Sequence, residues 1–134
     1  MKPRLIIIHA TMSYPYEDIT VEKLWVRSIL EGHKGIPYHF YIRRDGTVTQ
    51  HRLLTEPGTH CKGYNNKSIG ICYEGGQDEH GYPTDTRTEA QRRKMHDMIT
   101  NLGYCFPGIR TIGMHDAHRY LDSPCFDAIA EFRE

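Results

Sequence analysis

The side chains best equipped for chemistry crowd into one stretch, Met114-His115-Asp116-Ala117-His118-Arg119-Tyr120-Leu121-Asp122-Ser123-Pro124-Cys125-Phe126-Asp127. Imidazole and thiolate are the groups that zinc prefers, and Pro124 stiffens the turn that carries them, so the stretch reads as one wall of a metal site. A site assembled from separate parts of a chain needs a second wall. His9 supplies it, because it ends the apolar run Leu5-Ile6-Ile7-Ile8, where a buried strand delivers a side chain to the rim of a sheet. The place where a third ligand is most wanted holds Ser123, whose neutral hydroxyl is a far weaker zinc ligand than a thiolate or carboxylate.

Those walls must be positioned by a domain of modest size. With 134 residues the chain is long enough for one hydrophobic core and too short for two, so residues 1–134 are expected to form a single domain. The 17 basic and 17 acidic residues cancel, which argues against a nucleic-acid partner read by charge and against a polybasic membrane footprint. Nine histidines are the compositional hint of chemistry, since neutral imidazoles serve metals and proton transfer. Cys61, Cys72, Cys105 and Cys125 form no CxxC pair, so neither a zinc ribbon nor a disulfide scaffold is indicated and reduced thiols are expected. The apolar run before His9 is far too short for a signal-peptide core or a membrane span. Synthesis in the cytoplasm without an export signal, and no membrane insertion, are the corresponding expectations.

Arg4 to Ala10 is a short apolar run rich in β-branched residues, which suits a central strand buried on both faces. Thr20 caps a helix predicted to run to about Glu31, with Leu24, Trp25, Ser28 and Ile29 on one face, Trp25 as its packing anchor and Gly32 closing it. Tyr38 to Ile42 alternates, Asp45-Gly46 turns the chain, and Val48 to Leu53 returns, which predicts a hairpin. After a polar loop from Thr55 to Lys67, Ser68 to Tyr73 reads as a strand ended by Gly75-Gly76. Thr88 with Gln91 forms a capping-box signal ahead of Met95, Met98, Ile99 and Leu102 at helical spacing, with Gly103 as the expected stop. Ile109 to His115 returns to a β pattern, and Phe126 to Phe132 reads as a short closing helix. Together these predict an α/β fold: a mixed central sheet of about five strands with helices packed on its faces.

Several of these features recur together in one family. They are a histidine ending the first strand, Tyr38-His39-Phe40 followed by Arg44-Asp45-Gly46-Thr47, the loop His60-Cys61-Lys62-Gly63-Tyr64-Asn65, Ser68-Ile69-Gly70, and a histidine eight residues before Ser123-Pro124. The sequence resembles the type-2 N-acetylmuramoyl-L-alanine amidases, which include amidase-type phage lysozymes and animal peptidoglycan recognition proteins, over nearly its whole length from Ile6 to Asp127. The resemblance implies a Zn²⁺ amidase that cuts the bond between the lactyl group of N-acetylmuramic acid and L-alanine. It places His9 and His115 as histidine ligands, Tyr38 beside the metal as donor to the oxyanion, and His39, His60 and Asn65 along the muropeptide groove. An amide is a poor electrophile, so a Lewis acid and a fixed donor are the parts such chemistry needs.

Two positions depart from that pattern. The family's third ligand, a cysteine or in some branches an aspartate, is Ser123 here, and the lysine or threonine found two residues earlier is Leu121. Asp122 turning inward, Cys125 reaching back by about two residue lengths or ~6–7 Å, or a cysteine replaced by serine each account for the change. The expected function is thus a zinc-dependent peptidoglycan amidase, a phage-type lysin or wall-targeting effector acting on the wall after release or delivery. The alternative is a non-catalytic module on the same fold that binds muropeptide or a regulatory or immunity protein.

Overall fold

The computed structural model describes residues 1–133. Near the centre of its sheet runs β1 (Leu5–Ala10), in which Ile6, Ile7 and Ile8 have no exposed surface. Burying an aliphatic side chain of this size contributes about 1.5–3 kcal/mol, so this strand is held firmly in the sheet. It pairs in parallel with β4 (Ser68–Tyr73) on one side and with β5 (Arg110–Gly113) on the other. Beyond β4 lie β2 (Phe40–Ile42), parallel to it, and β3 (Val48–Gln50), antiparallel to β2, which gives the order β3-β2-β4-β1-β5. Five strands in a mixed sheet match the sequence reading, although the hairpin arms are shorter than the alternation suggested, with β2 beginning at Phe40 and β3 ending at Gln50.

Alternation along the central strands divides the core in two. Ile6, Ile8 and Ala10 of β1 join Ile69, Ile71 and Tyr73 of β4 beneath α2 (Glu89–Cys105), which contributes Met95 and Leu102. On the opposite face Cys72 and Tyr41 meet Ile19, Ile36 and Leu24 of α1 (Val21–Leu30). Thr20 caps α1 by accepting from the Lys23 amide, and the capping box of Thr88 and Gln91 starts α2, as their sequence signals indicate.

Two helix expectations are corrected. Trp25 is not the anchor of α1: it stands half exposed, while Leu24 and Ser28 are the buried positions. Gly103 does not stop α2, which continues to Cys105; no neighbour lies within 4 Å of where its Cβ would be, so the glycine sits on an open helical surface. The chain closes with two four-residue helices, α3 (Met114–Ala117) directly after β5, and α4 (Ala128–Glu131). Arg87 locks α4 in place: its guanidinium is fully enclosed, bonds Glu131 at 2.6 and 2.7 Å and Asp85 at 3.0 Å, and lies 3.4 Å over the Phe126 ring.

Candidate metal centre and groove

Parallel strands end at one rim, and that rim is where an open sheet leaves room for ligands. β1 and β5 are neighbours with Ile8 opposite Gly113, so His9 lies one residue past that pair and His115 two residues past it, on α3. The loop that follows is tied down at four points. Ser123 Oγ accepts from the Ala10 amide at 2.8 Å, the Ser123 carbonyl accepts from the His115 amide at 2.7 Å, and the Pro124 carbonyl accepts from the Tyr73 hydroxyl at 2.6 Å. The Pro124 ring also packs on Gly113, where a Cβ would come within 2.6 Å of it. Ser123 therefore sits between the end of β1 and the helix of His115, so the strand and the loop that the sequence marked as two walls are stitched together.

The two histidines live in different surroundings. His9 is almost wholly buried, with Nε2 at 2.8 Å from Nδ1 of His60 and its ring 5.0 Å from that of Tyr38. Burial, reinforced by neighbouring His60, holds its pKa well below the ordinary histidine range, so the ring is neutral, the state that metal ligation requires. His115 is exposed, and its Nδ1 is engaged at 2.6 Å with the Leu121 carbonyl, which leaves Nε2 as its outward nitrogen.

His60 and His39, expected along the groove, are both buried. Burial lowers the His60 pKa to about 3, and both of its nitrogens are engaged, Nδ1 by His9 and Nε2 by Ser68 Oγ at 3.1 Å. Glycine makes room for the ring, since a Cβ on Gly70 would stand 2.7 Å from it. His39 has no exposed surface: Nδ1 accepts from the Gly70 amide at 3.0 Å and Nε2 bonds the Glu56 carbonyl at 2.8 Å, which pins the loop of residues 51–60 to β4. Asn65 keeps partial exposure, yet its Oδ1 accepts from the Cys61 amide at 2.9 Å and closes the His60–Asn65 turn, so half of its amide is already used.

Tyr38 is half buried beside His9, and burial together with the neighbouring Cys72 thiol raises its pKa well above the ordinary value, so the hydroxyl stays protonated and can donate. Cys125 does not reach back toward the histidines. It takes a left-handed backbone, and its thiol turns to the Gly76 carbonyl at 3.2 Å and the Met12 sulfur at 3.5 Å; burial pushes the pKa up to about 11, which keeps it a thiol. Asp122 borders the same surface depression as His115 and Asp116. Sequence reasoning missed Ser68 and Gly70 as parts of the site. Gly70 was the available signal, because a glycine inside an otherwise apolar strand marks a close approach.

By donor type the rim fits a zinc ion: two imidazoles from His9 and His115 and an oxygen from Ser123. The set is one negative charge short of a site built from two histidines and a thiolate or carboxylate. Among the described residues no three His, Cys, Asp or Glu side chains are grouped to hold a metal by themselves, so the third donor on this reading is the Ser123 hydroxyl.

A histidine-bearing carboxyl rim on a five-stranded mixed sheet, with a helix on each face, defines the fold class of the peptidoglycan amidases and recognition proteins. The family profile described as N-acetylmuramoyl-L-alanine amidase matches residues 1–123. The endolysin of Klebsiella phage KP32 is 33% identical over 111 residues, spanning 83% of this chain and 74% of its own length. The solved N-acetylmuramoyl-L-alanine amidase LysC from Clostridium intestinale superposes with a TM-score of 0.81 at 25% identity, over 97% of this chain and 81% of LysC. Human PGRP-IBETAC, solved in complex with glycosamyl muramyl pentapeptide, shares the fold at a TM-score of 0.77 and 20% identity, over 98% of this chain and 82% of its own. The chain belongs to the N-acetylmuramoyl-L-alanine amidase family. No helix among the described residues is long and apolar enough to cross a membrane.

Proposed function

We propose that this chain is a zinc-dependent N-acetylmuramoyl-L-alanine amidase of the endolysin kind, acting on peptidoglycan after release to the cell wall. The observation that carries the reading is the Ser123 bridge, which ties the end of β1 next to His9 to the backbone of His115. His9, His115 and Ser123 would hold the ion, which when bound supplies the Lewis acidity that an unactivated amide needs. The rest is done by the chain. Neutral His9 presents a nitrogen donor without first losing a proton, because burial has already removed it. Tyr38 donates its protonated hydroxyl to the carbonyl oxygen as charge develops there, and the muropeptide lies along the Lys62–Asn65 turn, where the Asn65 amide nitrogen remains free to donate. Leu121 offers no second donor.

A second reading rests on the same residues. The uncharged third donor and apolar Leu121 suit a module that binds muropeptide without cutting it, and PGRP-IBETAC was solved with such a ligand bound. Purified protein incubated with purified peptidoglycan, with added zinc or with a chelator, separates the two. The amidase reading expects zinc-dependent release of peptides with a new L-alanine amino terminus. Co-sedimentation with peptidoglycan and no peptide release at saturating zinc would replace it with the binding module.

A further inference from the structure

Three hydrogen bonds in a row fix where two ring protons sit. Ser68 Oγ lies 2.7 Å from the Tyr64 carbonyl, which can only accept, so the single hydroxyl proton of Ser68 is directed there. The 3.1 Å contact between Ser68 Oγ and His60 Nε2 then has to be donated by the ring, which puts the His60 proton on Nε2. A neutral ring with a proton on Nε2 has a bare Nδ1. His60 Nδ1 is therefore an acceptor, and the 2.8 Å contact with His9 Nε2 is donated by His9. The His9 proton sits on Nε2, and its Nδ1 carries a lone pair. No ion pair among the described residues joins a carboxylate to either ring, so nothing there stabilises a second proton. Nδ1 of His9 has no hydrogen-bond partner among the described residues, and no fully enclosed side-chain nitrogen there lacks one, so this atom touches solvent.

We infer that Ser68 and His60 are positioning residues that set the tautomer and orientation of His9, so that its Nδ1 lone pair is presented at the rim of the sheet. The anchor is local and rigid. Ser68 opens β4 and is fully buried, and the Tyr64 carbonyl also receives the Lys67 amide at 3.1 Å across the 3-10 turn Asn65–Lys67. Ligand histidines generally have their second nitrogen held in this way, and removal of the holding partner costs 10–100-fold in metal affinity. What the lone pair binds rests on the zinc reading above; where the protons sit does not.

The test uses the full chain, labelled with ¹⁵N and stripped of metal, with long-range proton–nitrogen NMR correlations reporting the ring tautomers at neutral pH. His9 and His60 are both expected as Nε2–H tautomers. Ser68→Ala removes the acceptor for the His60 proton and is expected to give mixed tautomers at both rings and a 10–100-fold weaker zinc Kd by calorimetry, with Ser68→Thr restoring both. A His9 signal from the Nδ1–H tautomer in the unsubstituted protein overturns the inference whatever Ser68→Ala does, including failing to fold. Unchanged tautomers in Ser68→Ala overturn it as well. If the tautomers respond as stated but zinc alone does not bind the unsubstituted protein, the relay stands and the zinc reading fails.

Discussion

Ser123 decides how strongly the rim holds an ion. Two neutral imidazoles and a hydroxyl that already accepts from the Ala10 amide put no negative charge opposite zinc, whereas a thiolate supplies charge and a soft donor at the same place. Ser123→Cys is accordingly expected to raise zinc affinity, read by calorimetry, and to increase peptide release from peptidoglycan. Because Leu121 still offers no donor, that variant should remain slower than a fully equipped site by a factor of about 10²–10³, the cost of removing one oxyanion donor. Stoichiometric zinc without peptide release would favour the binding module. Asn65 poses a different question, since its Oδ1 serves the Cys61 amide and its amide nitrogen has no partner among the described residues. Asn65→Ala should weaken muropeptide binding and also lower stability by about 0.5–1.5 kcal/mol, the worth of one net hydrogen bond. A melting temperature unchanged by that substitution would show that the turn closes without it.

At the scale of elements, the strands and helix starts were legible because each has a local cause. The apolar runs of β1 and β4 and the caps Thr20 and Thr88 can be read within a few residues of sequence. Helix faces and ends were less legible: Trp25 and Gly103 take their places from which side of the helix meets the sheet, information that periodicity alone does not carry. In the candidate site the sequence marked out the two segments that meet, the end of β1 at His9 and the loop after β5, but not where side chains meet across folds of the chain. His60 sits in a loop that looks polar and exposed and His39 at the start of the alternating hairpin segment, yet each reaches the sheet around Gly70 and is enclosed there. That glycine is open to test, since a Cβ 2.7 Å from the His60 ring forces the ring to shift away from His9. Gly70→Ala should cost about 1–3 kcal/mol by overpacking and displace the His9 and His60 ring resonances, while the α2 face of the sheet keeps its spectrum. Resonances of both rings left in place would mean that the close approach is not real.

For the molecule as a whole, three buried histidines make stability depend on pH before any carboxylate does. Burial is the first cause for each: His60 is lowered to about 3, His9 well below the usual range, and His39 below it. Each binds a proton in the unfolded chain near pH 6.5 and stays neutral in the folded one, so between those values the unfolded state holds more protons and stability rises with pH. The stabilisation is complete above about 6.5 and is lost as pH falls, by at most ~1.4 kcal/mol per pH unit for each histidine. Carboxylates held low by arginine, such as Glu131 bonded to Arg87, act in the same direction but only below the ordinary carboxylate range. The interval from pH 6.5 to 5 therefore reports the histidines nearly alone. Urea unfolding of chelator-treated protein should show the midpoint falling across that interval, and His60→Gln should make the fall shallower because one proton-binding group has gone. A midpoint constant from pH 7.5 to 5, or a slope that His60→Gln leaves unchanged, would mean that these rings are not held neutral in the folded protein.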